Sequence, residues 1–147
     1  MELNGNRIMK KLIIPATKEA TANVIKTIEK ECVNLRCSVK KQMQLSIVLE
    51  ELLINIVHYA YQPENNGDIQ IQYEFFQVDK GIRFNLICID KGKEYNLLEK
   101  EEPDITLSTE ERSIGGLGIF IIKKLVDFIA YERNDGENRI QIKKDLF

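Results

Sequence analysis

The chain has 147 residues, 44% hydrophobic and 30% charged, enough for one domain (1–147) with a buried core. Its formal net charge of −2 argues against direct binding to nucleic acid or to an anionic membrane. No apolar run reaches the roughly 18–20 residues needed to span a bilayer, and no continuous hydrophobic signal segment opens the chain, so a cytoplasmic protein is expected.

Residues 1–10 are polar, with Ile8 and Met9 able to extend a first strand over Lys11–Pro15. From Thr17 the pattern turns helical: Ala20, Val24, Ile28 and Cys32 recur at four-residue spacing. Asn34–Cys37 breaks it, and Ser38 is the expected N-cap of a second helix running to about Tyr61. From Val48 to Tyr61 that helix is apolar nearly all round, as a helix inside a domain is. Yet it carries Glu51 and Asn55, four residues apart and so on one face. A buried carboxylate needs compensation. Either the pair hydrogen-bonds within a core, or its face opens onto a pocket where the carboxylate acts as a general base and the amide oxygen holds a hard cation. The lone histidine, His58, precedes Pro63 by five residues but lacks the charged surroundings of a phosphoacceptor; it reads as structural or pocket-lining.

Pro63–Gly67 is a turn, and Ile69, Ile71, Tyr73 and Phe75 alternate with polar residues as in a half-buried strand. After a turn at Val78–Gly81, Ile82–Asp90 is apolar on both faces, the mark of a central strand, and an antiparallel hairpin brings Asp90 to a strand's end. Residues 91–114 are irregular and polar, which suggests a lid or binding loop. Gly115-Gly-Leu-Gly118 then opens a helix over Ile119–Phe128, followed by a strand at Ile129–Glu132, a turn at Asn134–Gly136 and a last strand at Arg139–Lys144. The doublets Lys123-Lys124 and Lys143-Lys144 read as solvated faces. Cys32, Cys37 and Cys88 are odd in number and lack metal-ligand spacing, so they read as reduced thiols, Cys88 in a buried strand.

Three features carry chemistry. Besides Glu51 and Asn55 there is Asp90-Lys-Gly92, a carboxylate followed by a glycine that lets backbone approach a ligand. The third is the glycine run before a helix, where free N–H groups and the helix terminus favour an anion. The run is no P-loop, since GxxxxGK[ST] is absent, and no dinucleotide fingerprint, since Ile121 stands in place of the third glycine.

In order and spacing these elements resemble the boxes of the GHKL superfamily of ATPases, the gyrase and histidine-kinase type. Glu51-Leu-Leu-Ile-Asn55 matches its N box, Asp90-Lys-Gly-Lys-Glu-Tyr95 its G1 box and Gly116-Leu-Gly118 its G2 motif. Within it, Asn55–Tyr61 and Gly115–Ile122 look like the anti-sigma-factor serine/threonine kinases, over about residues 10–146. The resemblance implies an α/β fold: a two-layer sandwich with a mixed, mostly antiparallel sheet covered on one face by helices. It implies ATP and Mg²⁺ as cofactors. Asn55 would ligate Mg²⁺, and Glu51 would polarise the attacking hydroxyl, Glu50 pointing about 100° away from the face of Asn55. Asp90 would accept from the adenine amino group, with Gly92 giving the base room and Tyr59 and Tyr95 beside the nucleotide. Arg112, Ser113, Gly115, Gly116, Leu117, Gly118 and Ile119 would wrap the phosphates. Two departures stand out: Tyr59 where the family often has histidine, and Arg139 in the region where its last strand often has a threonine. The implied activity is phosphorylation of a small STAS-type antagonist protein, with a sigma factor as a further partner and homodimers as a common state. The alternative is a nucleotide-responsive module that sequesters a sigma factor or other regulator without phosphotransfer.

Overall fold

A computed structural model describes residues 7–61, 67–99 and 116–147. In chain order the elements are β1 (Arg7–Pro15), α1 (Lys18–Asn34), α2 (Val39–Tyr59), β2 (Asp68–Val78), β3 (Gly81–Asp90), α3 (Gly116–Leu125), β4 (Phe128–Asn134) and β5 (Glu137–Asp145). A short 3-10 turn at Leu97–Glu99 lies between β3 and α3. The five strands form one sheet in the order β1-β2-β3-β5-β4, and every pairing is antiparallel, so the mostly antiparallel expectation holds in a stricter form.

Alternation along the strands decides which face is covered. Ile69, Ile71, Tyr73 and Phe75 of β2, Phe84, Leu86 and Cys88 of β3, and Ile140 and Ile142 of β5 are buried in one core with the helices. The opposite face carries a polar row in which Gln141 donates to Asn85 and Asn85 to Glu74. The second apolar row of β3, Ile87 and Ile89, falls on that face and is half-buried, in keeping with a strand between two neighbours. Thr17 caps α1 by accepting from the Ala20 N–H at 3.1 Å, and Ser38 caps α2. The helix α2 packs between α1 and α3, burying Leu45, Val48, Leu49, Leu52, Leu53 and Ile56.

Several boundaries differ from the sequence reading. β1 starts at Arg7 because β2 is long enough to pair it as far as Phe76. α3 stops at Leu125: the Asp127 N–H donates to Lys143 O, and Phe128 already pairs with Lys143 as the first residue of β4. The Pro63–Gly67 turn lies outside the described residues except for Gly67, and most of the irregular stretch does too. Its beginning is packed, with Tyr95 half-buried and Leu97 buried. The three cysteines are free and buried, Cys88 in β3. Among the described residues no helix is long and apolar enough to cross a membrane.

Lys144 corrects the solvated-face reading. It is 1% exposed on the inner side of β5 and donates to Gln44 Oε1 and to the carbonyl of Leu125, the last residue of α3. Strand alternation forces this, since Lys144 shares the inward face of Ile140 and Ile142. Burial, reinforced by the Lys41 charge, pushes its ammonium below the ordinary lysine value. The unfolded chain therefore binds more protons in the window beneath 10.5, and stability rises with pH through it. Denaturant unfolding at pH 7.5 and pH 10 should show wild type gaining on Lys144→Met as the pH rises. Parallel curves for the two proteins would place that ammonium in water.

Candidate functional site

The helical repeat of α2 sets Glu51 and Asn55 one above the other. Asn55 is 5% exposed, and its Nδ2 donates to the Glu51 carbonyl at 2.8 Å, which turns the amide back along its own helix and leaves Oδ1 available as an acceptor. Glu51 is half-buried and Glu50 exposed, as the roughly 100° between successive helical residues dictates. Glu51 also lines a wide, open groove between α1 and α2, with Ala22, Ile25 and Lys26 on the far wall.

The third contributor is the start of α3. A Cβ on Gly118 would lie 2.4 Å from Glu51 Oε2 and 3.8 Å from Asn55 Nδ2. Glycine lets the first turn of α3 approach both groups, and a side chain there would displace the flexible Glu51 carboxylate. Gly116 and Leu117 open the helix, and Ile119 is buried behind them. Arg112, Ser113 and Gly115 lie outside the described residues.

Asp90 ends β3 and is 5% exposed. Its Oδ1 accepts from the Gly92 N–H and from Asn138 Nδ2, each at 2.9 Å. Burial raises its carboxyl above the ordinary value; the Asn138 and Gly92 donors and the charge of Arg133 pull in the other direction. Gly92 is needed for space: a Cβ there would meet Ala60 O at 1.9 Å. Ala60 O accepts from Lys93 N–H at 2.8 Å, and Arg133 donates to Gly92 O at 2.7 Å, so the loop after β3 is held from α2 and from β4. Asn55, Asp90, Tyr95, Leu97, Tyr131, Asn138 and Ile140 share the lining of one small cavity. Tyr59 stacks on Tyr95 with ring centroids 4.9 Å apart, forming an aromatic wall beside it.

Asn138 is the residue that sequence reading missed. Arg139 does not face Asp90: it is exposed and opposes Ile89, while Asn138 opposes Asp90. A one-residue difference in register moves a side chain to the other face of a sheet. The signal was present in Ile140 and Ile142, whose apolar alternation puts Asn138 on the buried face. His58 is exposed on the last turn of α2, so it neither fills the core nor lines the cavity.

Among the described residues no group of three or more His, Cys, Asp or Glu could hold a metal ion. Mg²⁺ does not need one, because it retains water and takes one or two protein ligands together with substrate phosphates. The Oδ1 of Asn55, which accepts no hydrogen bond among the described residues and lies beside the glycine start of α3, suits that mode.

A family model described as the histidine kinase-like ATPase domain matches residues 14–144. The Serine-protein kinase RsbW of Listeria monocytogenes serovar 1/2a is 26% identical over 99 residues, which are 67% of this chain and 63% of that protein. The protein of the same name from Bacillus velezensis is 26% identical over 98 residues, 63% of this chain and 58% of that one. The match thus spans less than two thirds of these relatives. A crystal structure of the RsbU and RsbW domains of Rv1364c from Mycobacterium tuberculosis has the same fold (TM-score 0.63, 14% identity), covering 95% of this chain and 32% of that chain. The SiaB-SiaC complex from Pseudomonas aeruginosa also contains it (TM-score 0.58, 13% identity), covering 95% and 91%.

Proposed function

The chain belongs to the histidine kinase-like ATPase domain family, and from that premise we propose that it is an ATP-dependent protein serine/threonine kinase. Its substrate on this reading is a small STAS-type antagonist in an anti-sigma pathway, in the cytoplasm, and a sigma factor is a second partner. The observation that carries the proposal is the placement of Asn55. It lines the cavity that also holds the buried carboxylate of Asp90, and it lies against the glycine start of a helix beside a second carboxylate, Glu51, which borders an open groove.

Each part has a task in phosphoryl transfer. Asp90 Oδ2 accepts from the exocyclic amine of adenine, and the Tyr59–Tyr95 stack flanks the base. The phosphates lie toward the first turn of α3, where N–H groups and the helix terminus favour negative charge. Asn55 Oδ1 would hold Mg²⁺, which when bound supplies neutralisation of phosphate charge. Glu51 takes the proton of a serine or threonine hydroxyl arriving through the α1–α2 groove. Most of the rate gain is positioning and charge stabilisation, as in phosphoryl transfer generally.

The test is recovery of the native partner by pull-down, incubation with ATP and Mg²⁺, and mapping of the phosphosite. Phosphate on a serine or threonine of a small partner is the expected result. Tight binding of that partner with no phosphate transferred would overturn the kinase reading in favour of a nucleotide-responsive binding module. Within the same reading, Asn55→Ala is expected to lower ADP affinity in Mg²⁺ by at least about tenfold and to have little effect in EDTA, measured by calorimetry. Equal losses in both media would take the cation away from Asn55.

A further inference from the structure

We infer that Asn138 sets the base preference of this pocket, as a positioning residue that makes Asp90 present one bare carboxylate oxygen to the base. The inference rests on the nucleotide reading above and goes beyond it by assigning specificity to a residue outside the three sequence boxes.

Asn138 is 5% exposed, and its amide is engaged on both ends. Nδ2 donates to Asp90 Oδ1 at 2.9 Å and to Lys93 O at 2.7 Å, which uses both of its hydrogens. Oδ1 accepts from the Tyr131 hydroxyl and from the Tyr95 N–H. A flipped amide would face donors with donors and acceptors with acceptors, so the orientation is fixed by four neighbours. The Gly92 N–H reaches the same Asp90 oxygen as Asn138 does. Among the described residues both hydrogen bonds to this carboxylate fall on Oδ1, which leaves Oδ2 for the cavity.

Chemistry turns that geometry into selectivity. An ionised Oδ2 accepts from the amino group of adenine and repels the carbonyl that guanine presents at the same position. A protonated carboxyl loses this distinction, because its O–H can donate to that carbonyl. Burial favours the protonated form, and the Asn138 donor opposes it. The other charged or titratable groups around Asp90 are Arg133 and Tyr131 of β4, Glu137 of β5, Cys88 of β3 and Asp68 of β2. Tyr61 after α2 and Lys91, Lys93 and Tyr95 of the loop after β3 complete the set among the described residues. Asn138 is the side chain among these surroundings that stabilises the ionised form of Asp90 by hydrogen bonding without adding charge.

The experiment measures ADP and GDP affinity by calorimetry between pH 5.5 and 8.5 for wild type, Asn138→Leu and Asn138→Thr. Wild type should prefer ADP by about tenfold or more across the range, the equivalent of one good hydrogen bond. Asn138→Leu, similar in size but without a donor, should lose ADP affinity most at the acid end, with the ADP/GDP ratio falling toward one there. Asn138→Thr, which restores a donor, should recover part of the ratio. Folding of each variant is checked by thermal unfolding, and Asn138→Ala, which also lacks a donor, replaces Asn138→Leu should the latter not fold. Equal loss of ADP and GDP at every pH, or an unchanged ratio in the variants, would overturn the inference and leave the nucleotide reading standing. Wild type binding neither nucleotide would overturn both.

Discussion

Glu51→Gln is expected to bind nucleotide as wild type does while transferring phosphate roughly 10²–10⁴ times more slowly, the range a positioned general base contributes. The substitution keeps the shape of a side chain whose Oε2 lies against the position of a Gly118 Cβ, so the close packing of α3 on α2 is preserved. It removes the lone pair and charge that would take the hydroxyl proton. Glu51 is half-buried at the edge of the α1–α2 groove, where solvent keeps the loss of charge from disturbing the core. Single-turnover phosphorylation of the native partner is the measurement, after unfolding curves show that the variant is folded. Wild-type rates in Glu51→Gln would remove Glu51 as the base; a collapse of ADP affinity would make it a binding residue instead.

The second large effect is expected at Gly92. In Gly92→Ala the new methyl would lie 1.9 Å from Ala60 O and 2.4 Å from the Ala60 carbonyl carbon, both backbone atoms. Neither can swing aside as a side-chain tip would. Relief requires the loop after β3 to move away from α2, which breaks the Lys93 N–H bond to Ala60 O and drags the Gly92 N–H from Asp90. Overpacking of this kind costs about 2–3 kcal/mol, which for a chain of this size lowers the midpoint by about 5–10 °C. Nucleotide affinity should fall by at least tenfold, because the loop carries one of the donors that position Asp90. A thermal scan with and without ADP reads both effects. An unchanged midpoint would show that the segment around Ala60 yields at little cost.

Periodicity makes part of this site legible in the amino-acid sequence. The four-residue interval of Glu51 and Asn55 survives any error in the helix ends, and the alternation from Ile69 to Phe75 fixes both the hairpin and the arrival of Asp90 at a strand's end. What escaped depended on long-range register. Whether Asn138 or Arg139 faces Asp90 is decided by the pairing of β3 with β5, and one residue separates the two answers. Lys144 escaped for a related reason: a charge run suggests solvent, whereas strand alternation put this lysine inward, where Gln44 and the end of α3 receive it. The end of α3 was overrun because Phe128 extends its apolar pattern while its backbone already belongs to β4. The roles given to Arg112, Ser113 and Gly115 rest on family resemblance, since those residues lie outside the described ones.

The hydrogen bond between Asp90 and Asn138 joins residues 48 positions apart in the chain. Its partner strand, β5, enters the sheet between β3 and β4, so the cavity beside Asp90 is complete only after the β4–β5 hairpin has docked. Closing so long a loop is a slow, late kind of event in folding. A ligand stabilises only those states that bind it. Nucleotide therefore adds nothing to intermediates made of β1, α1, α2, β2 and β3 alone, and its stabilisation appears with the last hairpin. In refolding, ADP should slow unfolding and leave the main folding rate unchanged, so the nucleotide acts as a latch on the finished sheet and not as a template for building it.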